Sequence, residues 1–259
     1  MNEKSNRMDR RGFLLRGLGA AGTLLLGGCG EKLTQTPWVP KILDTAETVN
    51  RHVQNFVTPR RAMAREYNKA DISRHFKANG TTHPDNPAYE ALAANHFADW
   101  RLEVGGLVQH PGTFSLADLR AMPSRTQITR HDCVEGWSCI GQWTGVPLSA
   151  VLERVKPRSR ARYAVFFCAD ALGRSGDRYY ESIGFDDAYH PQTILAYDFN
   201  GQPLPIPHGA PLRLRVERQL GYKMPKYLMR MELVERFDRI AGGRGGYWED
   251  RGYAWYAGI

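Results

Sequence analysis

Arg130-His131-Asp132-Cys133-Val134-Glu135-Gly136-Trp137-Ser138 leads into Trp143-Thr144-Gly145-Val146-Pro147-Leu148. The first stretch is polar and turn-like and follows a strand-like segment. Cys133 therefore sits where a strand gives way to a loop, a place that commonly carries chemistry. A histidine and an arginine close by favour its thiolate. Taken alone, the segment reads by default as a turn around a half-buried packing cysteine.

The flanking sequence supplies short strands and short helices. Trp100, Leu102 and Val104 alternate, Gly105-Gly106 turns the chain, and Leu107-Val108 begins another extended run. Ser115 offers an N-cap to residues 116–122, which Pro123 ends, and Pro147 opens a second helix over residues 148–155. Residues 161–168 form an aromatic-rich strand, residues 211–216 a second with clean alternation, and residues 228–234 a third. Residues 60–76 predict a short helix, broken by Gly80 and Pro84. This pattern is α+β, with mixed sheets and short helices rather than a regular βαβ series.

Composition sets outer limits. The chain has 259 residues, 42% of them hydrophobic and 24% charged, enough apolar material for a sizeable core and too much for a disordered chain. The net charge is +8, of which +3 lies in the first thirty residues. The remaining excess is dispersed among acidic side chains with no basic run interleaved with aromatics, which argues against a nucleic-acid partner. Met8-Asp9-Arg10-Arg11-Gly12-Phe13-Leu14, followed by a weakly apolar stretch from Gly17 to Gly28, is similar to a twin-arginine export signal. Twelve residues are too few to span a bilayer. Leu26-Gly27-Gly28-Cys29 resembles a lipoprotein processing box, so two readings are open, an acylated Cys29 and an ordinary cleavage site. Residues 31–60, with Pro37, Pro40 and Pro59, read as an extended arm.

Four cysteines occur, at 29, 133, 139 and 168. With Cys29 set aside for processing, the other three cannot all pair within the chain. In an oxidising compartment at least one thiol is then either buried and inert or bound to something.

Cys133-Val134-Glu135-Gly136-Trp137-Ser138 with Trp143-Thr144-Gly145-Val146-Pro147-Leu148 resembles the cysteine segment of the sulfite-oxidase superfamily of molybdopterin enzymes. The Cys-Val-Glu-x-Trp-Ser form is most similar to periplasmic methionine-sulfoxide reductase catalytic subunits. A second block agrees in order and spacing: residues 195–205, then His208-Gly209-Ala210-Pro211-Leu212-Arg213, then Gly221-Tyr222-Lys223-Met224-Pro225-Lys226. The resemblance covers roughly residues 100–234. It implies the sulfite-oxidase-type fold over residues 100–240, between an N-terminal arm and cofactor loop (31–99) and a Gly/aromatic tail (241–259) that either packs on the body or covers a partner surface.

The same resemblance implies a molybdenum-molybdopterin cofactor with Cys133 as the protein ligand to the metal, and soft sulfur suits a redox metal of that kind. His208 and Arg213 would contact the pterin and its phosphate, and Met224, Pro225 and Lys226 would close the phosphate site. Arginine supplies a fork and lysine a point charge for an anion. Lys77, Asn79 and Gly80 match the family's earlier cofactor loop. Cys168 occupies the place of another cofactor contact, where relatives carry a different residue; its other reading is a small buried hydrophobe.

Oxygen-atom transfer to or from a small molecule follows, with sulfoxide reduction as the expected direction. The Ala-Gly-Asn that follows the cysteine in sulfite oxidases is absent, and no Cys-x-x-Cys-His marks an attached haem. A membrane-bound b-type cytochrome or quinone-linked subunit is therefore the expected electron partner, and the periplasm the expected location, with a tether through a lipidated Cys29 left open. Tyr179, Tyr180 and Tyr189 are candidates for the substrate pocket. The competing readings are a metal-free thiol hydrolase or transferase with Cys133 as nucleophile and His208 as base, and a non-catalytic ligand-binding lipoprotein. A zinc site at His131, Cys133 and Cys139 lacks a fourth ligand.

Overall fold

The computed structural model describes residues 62–172 and 176–259. The export signal, Cys29 and the arm expected over residues 31–60 lie outside the described residues. In chain order the elements are α1 (Pro87–Ala94), β1 (Arg101–Gly106), β2 (Gly112–Ser115), α2 (Leu116–Arg120), β3 (Arg125–Asp132), β4 (Ser138–Pro147), α3 (Leu148–Val155), β5 (Tyr163–Leu172), β6 (Asp177–Gly184), α4 (Phe185–Ala188), β7 (Ile194–Phe199), β8 (Gln202–Pro203), β9 (Arg213–Arg215) and β10 (Leu228–Val234). Among the described residues no helix is long and apolar enough to cross a membrane.

Two mixed-order sheets result. One runs β2-β1-β10-β5-β6, with β1 and β10 parallel and the other neighbours antiparallel. The other runs β3-β4-β7-β8, with β9 also paired to β7. A parallel pair needs a long crossover, and here nearly the whole domain lies between β1 and β10. The principal core gathers Leu102, Val104, Phe166, Met231 and Leu233 from the first sheet with Val146, Leu195 and Leu214 from the second. Helix α3 adds Leu148, Val151, Leu152 and Val155, a stripe at i, i+3, i+4 and i+7. Their burial contributes roughly 6–12 kcal/mol before conformational entropy is subtracted. A smaller cluster of Phe76, Trp143, Ile194, Ala196, Phe199 and Leu204 lies under the second sheet.

Local expectations hold for β1, α2, α3, β5 and β10. Ser115 and Asp118 form a reciprocal capping box at the start of α2. The short helix predicted over residues 60–76 is not what the described part, 62–76, adopts. It is extended apart from one 3-10 turn at Lys69–Asp71, with Glu66 bridged to Thr129 and the Tyr67 amide donating to Ile128 O at 2.8 Å. The edge of β3 offers these backbone groups partners that a lone helical turn lacks. Leu107-Val108 makes one bridge, Val108 to Pro157, and the next strand begins only at Gly112. Helix α1 is an addition to the sequence reading; Asn86 caps it and Pro87 occupies its first turn.

The Gly/aromatic tail packs on the body. Gly246 bridges Glu181, Gly258 bridges Gln219, and the Trp255 indole donates to Ser182 Oγ at 2.8 Å.

Candidate active site

Cys133 opens the turn between β3 and β4. Its amide donates to Trp137 O at 2.9 Å, its carbonyl accepts from Gly136 at 3.0 Å, and Gly136 has φ +85°, which glycine adopts without strain. Trp137 Nε1 donates to Glu135 Oε2 at 2.8 Å, and Lys77 lies 3.6 Å from the same carboxylate and 5.0 Å from the Trp137 ring centroid. Cys133 is half-buried and unpaired. Burial pushes its thiol up, and the Glu135 carboxylate adds to the rise. The thiolate-favouring pair expected from sequence does not act: Arg130 is taken by Asp132, and His131 is fully buried and held neutral, first by burial and then by Arg215.

Cys133 shares a cavity with Asn79, Gly80, Thr81, Asp170, Gly221, Met224, Pro225 and Lys226. The register between β5 and β6 shifts between Phe167 and Ala171, so the backbone carrying Asp170 leaves the regular ladder there. Lys226 Nζ donates to Asn79 O at 2.6 Å, to Pro207 O at 3.1 Å and to Thr81 O. Burial, and after it the Arg213 charge, lower its pKa to about 7 against the opposing pull of Asp170. Burial raises Asp170 to about 6.

Behind this wall lies Arg213, fully buried on β9. Its guanidinium donates to His208 O at 2.9 Å and to Met224 O at 3.4 Å. Burial and the neighbouring Arg215 lower it to about 9. Arg213 and Arg215 both lie over Trp143, at 4.9 and 4.4 Å from its ring centroid. Arg215 is held by Glu217, at 2.9 Å to Nε and 2.6 Å to NH2, and it donates to His131 Nδ1 at 2.9 Å. The β9 residues 213 and 215 are buried, together with Leu214 between them, so the alternation seen in the sequence is not an inside-outside one.

Three buried cations thus face two buried carboxylates, and several polar atoms around them lack a partner. These are Arg213 Nε, His208 Nδ1, His131 Nε2, Asn79 Oδ1, Trp143 Nε1 and Asp170 Oδ1. Buried polar groups are normally paired, so this concentration suits an anionic ligand with several acceptors and donors. Gly209, at φ +112°, lets the backbone pass against both Lys226 and Arg213, where a Cβ would approach Lys226 Cβ to 2.9 Å.

Of the residues predicted from sequence, Cys133, Asn79, Gly80, Met224, Pro225 and Lys226 line one cavity. Arg213 stands directly behind Met224. His208 is placed by its ring contacts with Phe76 and Phe199, at 5.5 and 4.7 Å. It does not line the cavity with Cys133, and burial drops its pKa to about 4, which leaves the hydrolase pairing without a base. Lys77 is exposed beside the Cys133 turn. Cys168 packs in the principal core, its thiol pushed well up by burial. Cys139 is opposite His131 in the β3–β4 register, and among the described residues no group of three His, Cys, Asp or Glu could hold a metal.

Tyr179 lines the cavity, whereas Tyr180 bonds Asp250 at 2.5 Å and Tyr189 is 44% exposed on the surface. Sequence reasoning missed Asp170, Arg215 and Glu217. Arg213-Leu214-Arg215-Val216-Glu217 places its three charges at a period of two, the one signal that they share a face.

Residues 89–239, more than half of the chain, match the family described as "Oxidoreductase molybdopterin binding domain". The chain is 39% identical over 249 residues to the "Putative protein-methionine-sulfoxide reductase subunit YedZ1" of Azospira oryzae, covering 96% of this chain and 87% of that protein. It is 34% identical over 258 residues to the "Protein-methionine-sulfoxide reductase catalytic subunit MsrP" of Xanthomonas axonopodis pv. citri, covering 93% and 74%. Among solved structures, the sulfane dehydrogenase SoxCD of Paracoccus pantotrophus is similar at TM-score 0.48 and 24% identity, over 53% of this chain and 39% of that one.

Proposed function

Because this chain belongs to the molybdopterin-binding oxidoreductase family and has its sulfite-oxidase-type fold, we propose that it is an exported, periplasmic sulfoxide reductase with Cys133 as the protein ligand to molybdenum. The enzyme class and the molybdenum-molybdopterin cofactor follow from the family itself. The binding-lipoprotein and metal-free thiol readings therefore fall. Sulfoxide as the substrate class is supported by the two relatives, both described as protein-methionine-sulfoxide reductase subunits.

The observation that carries the site assignment is the coincidence in one cavity of the Cys133 thiol with Lys226, backed by Arg213 and the unpartnered polar atoms. When bound, the cofactor supplies two-electron oxygen-atom transfer. The polypeptide binds and orients it. Arg213 and Lys226 are the cations for the phosphate, Gly80 and Gly209 let backbone approach, and Asn79, His208, Met224 and Pro225 are the candidate pterin contacts. Arg213, already held by two carbonyls, needs little reorganisation to meet an anion. Lys77, beside the turn, pairs with Glu135 and so steadies the segment that carries the ligand.

Export by the twin-arginine route places the enzyme in the periplasm, and a membrane-bound b-type cytochrome or quinone-linked subunit delivers electrons, since the sequence holds no haem-attachment motif of its own. The test is elemental analysis and pterin fluorescence after acid oxidation on protein purified after native export, followed by assay with dye-reduced enzyme on methionine sulfoxide. Near-stoichiometric molybdenum, turnover, and loss of turnover with retained pterin in Cys133→Ser are expected. Wild-type turnover in Cys133→Ser would refute the ligand assignment. Loaded enzyme that reduces no S-oxide would refute the direction.

A further inference from the structure

The family match ends at residue 239, yet the chain after it reaches the cavity: Trp248 and Tyr253 line it together with Cys133, Val134, Leu172 and Tyr222. Trp248 and Tyr253 stack with centroids 5.2 Å apart and planes 27° from parallel, and Tyr253 meets the Tyr222 ring edge-on at 5.3 Å. Tyr253 and Val134 are 38% and 45% exposed, so the mouth carries apolar surface on both the tail side and the cysteine side, with the exposed Glu135 carboxylate beside Val134. Asn79, Thr81, Glu135, Asp170 and Lys226 make up the polar part of the same cavity.

A buried ionic cluster holds this segment in place. Lys223 Nζ lies 2.5 Å from Glu181 Oε1 on β6 and 2.5 Å from Glu249 Oε1 in the tail, and all three side chains are buried. Lys223 stands in the chain between the cavity residues Tyr222 and Met224, and Glu249 directly follows Trp248. Such a cluster is costly compared with an apolar core, and its outer oxygens, Glu181 Oε2 and Glu249 Oε2, have no partner. What it does supply is direction: one ammonium accepts only one placement of the tail against the Gly221–Lys223 turn.

We propose that the tail is the specificity-determining wall of this enzyme, with Trp248 and Tyr253 receiving the alkyl or aryl group on the sulfur of a methyl sulfoxide, and with Glu249 as the residue that positions them. The proposal rests on the sulfoxide-reductase reading. A sulfoxide joins a strongly polar oxygen to apolar substituents, so its oxygen would face the cofactor held on the polar side of the cavity and its substituents the aromatic side. Aromatic faces make favourable contacts with sulfur and methyl groups.

The test compares methyl p-tolyl sulfoxide with dimethyl sulfoxide on the molybdenum-loaded full chain, beside calorimetric titration with methyl p-tolyl sulfone, which carries the same groups and is not reduced. Trp248→Ala and the exposed-site variant Tyr253→Ala should lower the ratio of kcat/KM for the aryl over the small sulfoxide by about tenfold or more, the scale of an apolar pocket contact. The loss should lie in KM, with weaker sulfone binding. Glu249→Gln should raise the aryl KM in the same direction with kcat retained. A ratio that stays within twofold in both Trp248→Ala and Tyr253→Ala, with wild-type turnover intact, overturns the wall. An unchanged aryl KM in Glu249→Gln overturns the positioning role. Wild-type enzyme that reduces neither sulfoxide overturns the sulfoxide-reductase reading and this proposal with it.

Discussion

Glu217→Ala isolates the ionic bolt beneath the site. Glu217 accepts from Arg215 Nε at 2.9 Å and NH2 at 2.6 Å, and from Gln127 Nε2 at 2.9 Å. Both members of the pair are fully buried. Truncation leaves the Arg215 charge with only the His131 nitrogen and the Trp143 face as company, next to a second buried guanidinium on Arg213. Breaking a buried pair on one side costs about 3–5 kcal/mol, mostly for the charge left behind. For a domain of this size about 2–4 °C accompanies each kcal/mol, so the melting temperature of the cofactor-free protein should fall by about 6–20 °C. The double variant Arg215→Met/Glu217→Met removes both charges and should recover most of that loss, because the penalty belongs to the orphaned charge and not to the missing attraction. Urea denaturation of the wild type, Arg215→Met, Glu217→Met and the double variant gives the coupling energy directly. A single variant within 1 kcal/mol of wild type, or a double variant no better than Glu217→Ala, would refute the reasoning.

Lys226→Met tests the lowered lysine through pH. The unfolded chain holds that proton up to 10.5 and the folded chain only to about 7, so the unfolded state binds more protons between those values and stability rises with pH across the window. The penalty is complete below pH 7. Wild type should gain about 3 kcal/mol relative to Lys226→Met between pH 6 and pH 9, and equal urea midpoint differences at the two pH values would contradict it. Arg213→Ala should reduce bound pterin, read by fluorescence after acid oxidation; wild-type occupancy would remove Arg213 from the phosphate site. At Gly221 a Cβ would collide with the His131 ring, so Gly221→Ala should cost about 1–3 kcal/mol in a thermal melt, and an unshifted melt would show that the ring can move.

The legible part of the site was the part that is contiguous in the chain. The Cys133 turn, the His208-Gly209-Ala210-Pro211-Leu212-Arg213 run and Met224-Pro225-Lys226 keep their order because each is a local backbone shape with its side chains attached. The capped helices α2 and α3 were readable for the same reason, since capping and an apolar stripe act within two turns. Residues 62–76 were misread because their backbone partners lie on β3, about sixty residues away. The thiolate expectation for Cys133 failed because proximity in sequence says nothing about whether His131 is charged, and its burial decides that it is not.

The order of residues by itself determined the α+β class, the family and the cofactor, and it singled out Cys133 as the candidate ligand. Tertiary structure alone decided that Arg213, Arg215 and Lys226 are buried together, that Asp170 joins Cys133 in one cavity, and that the tail folds back to wall it. The division has a physical origin: propensity, capping and turn chemistry act over a few neighbouring residues, whereas desolvation and charge coupling depend on what the rest of the chain packs around each group.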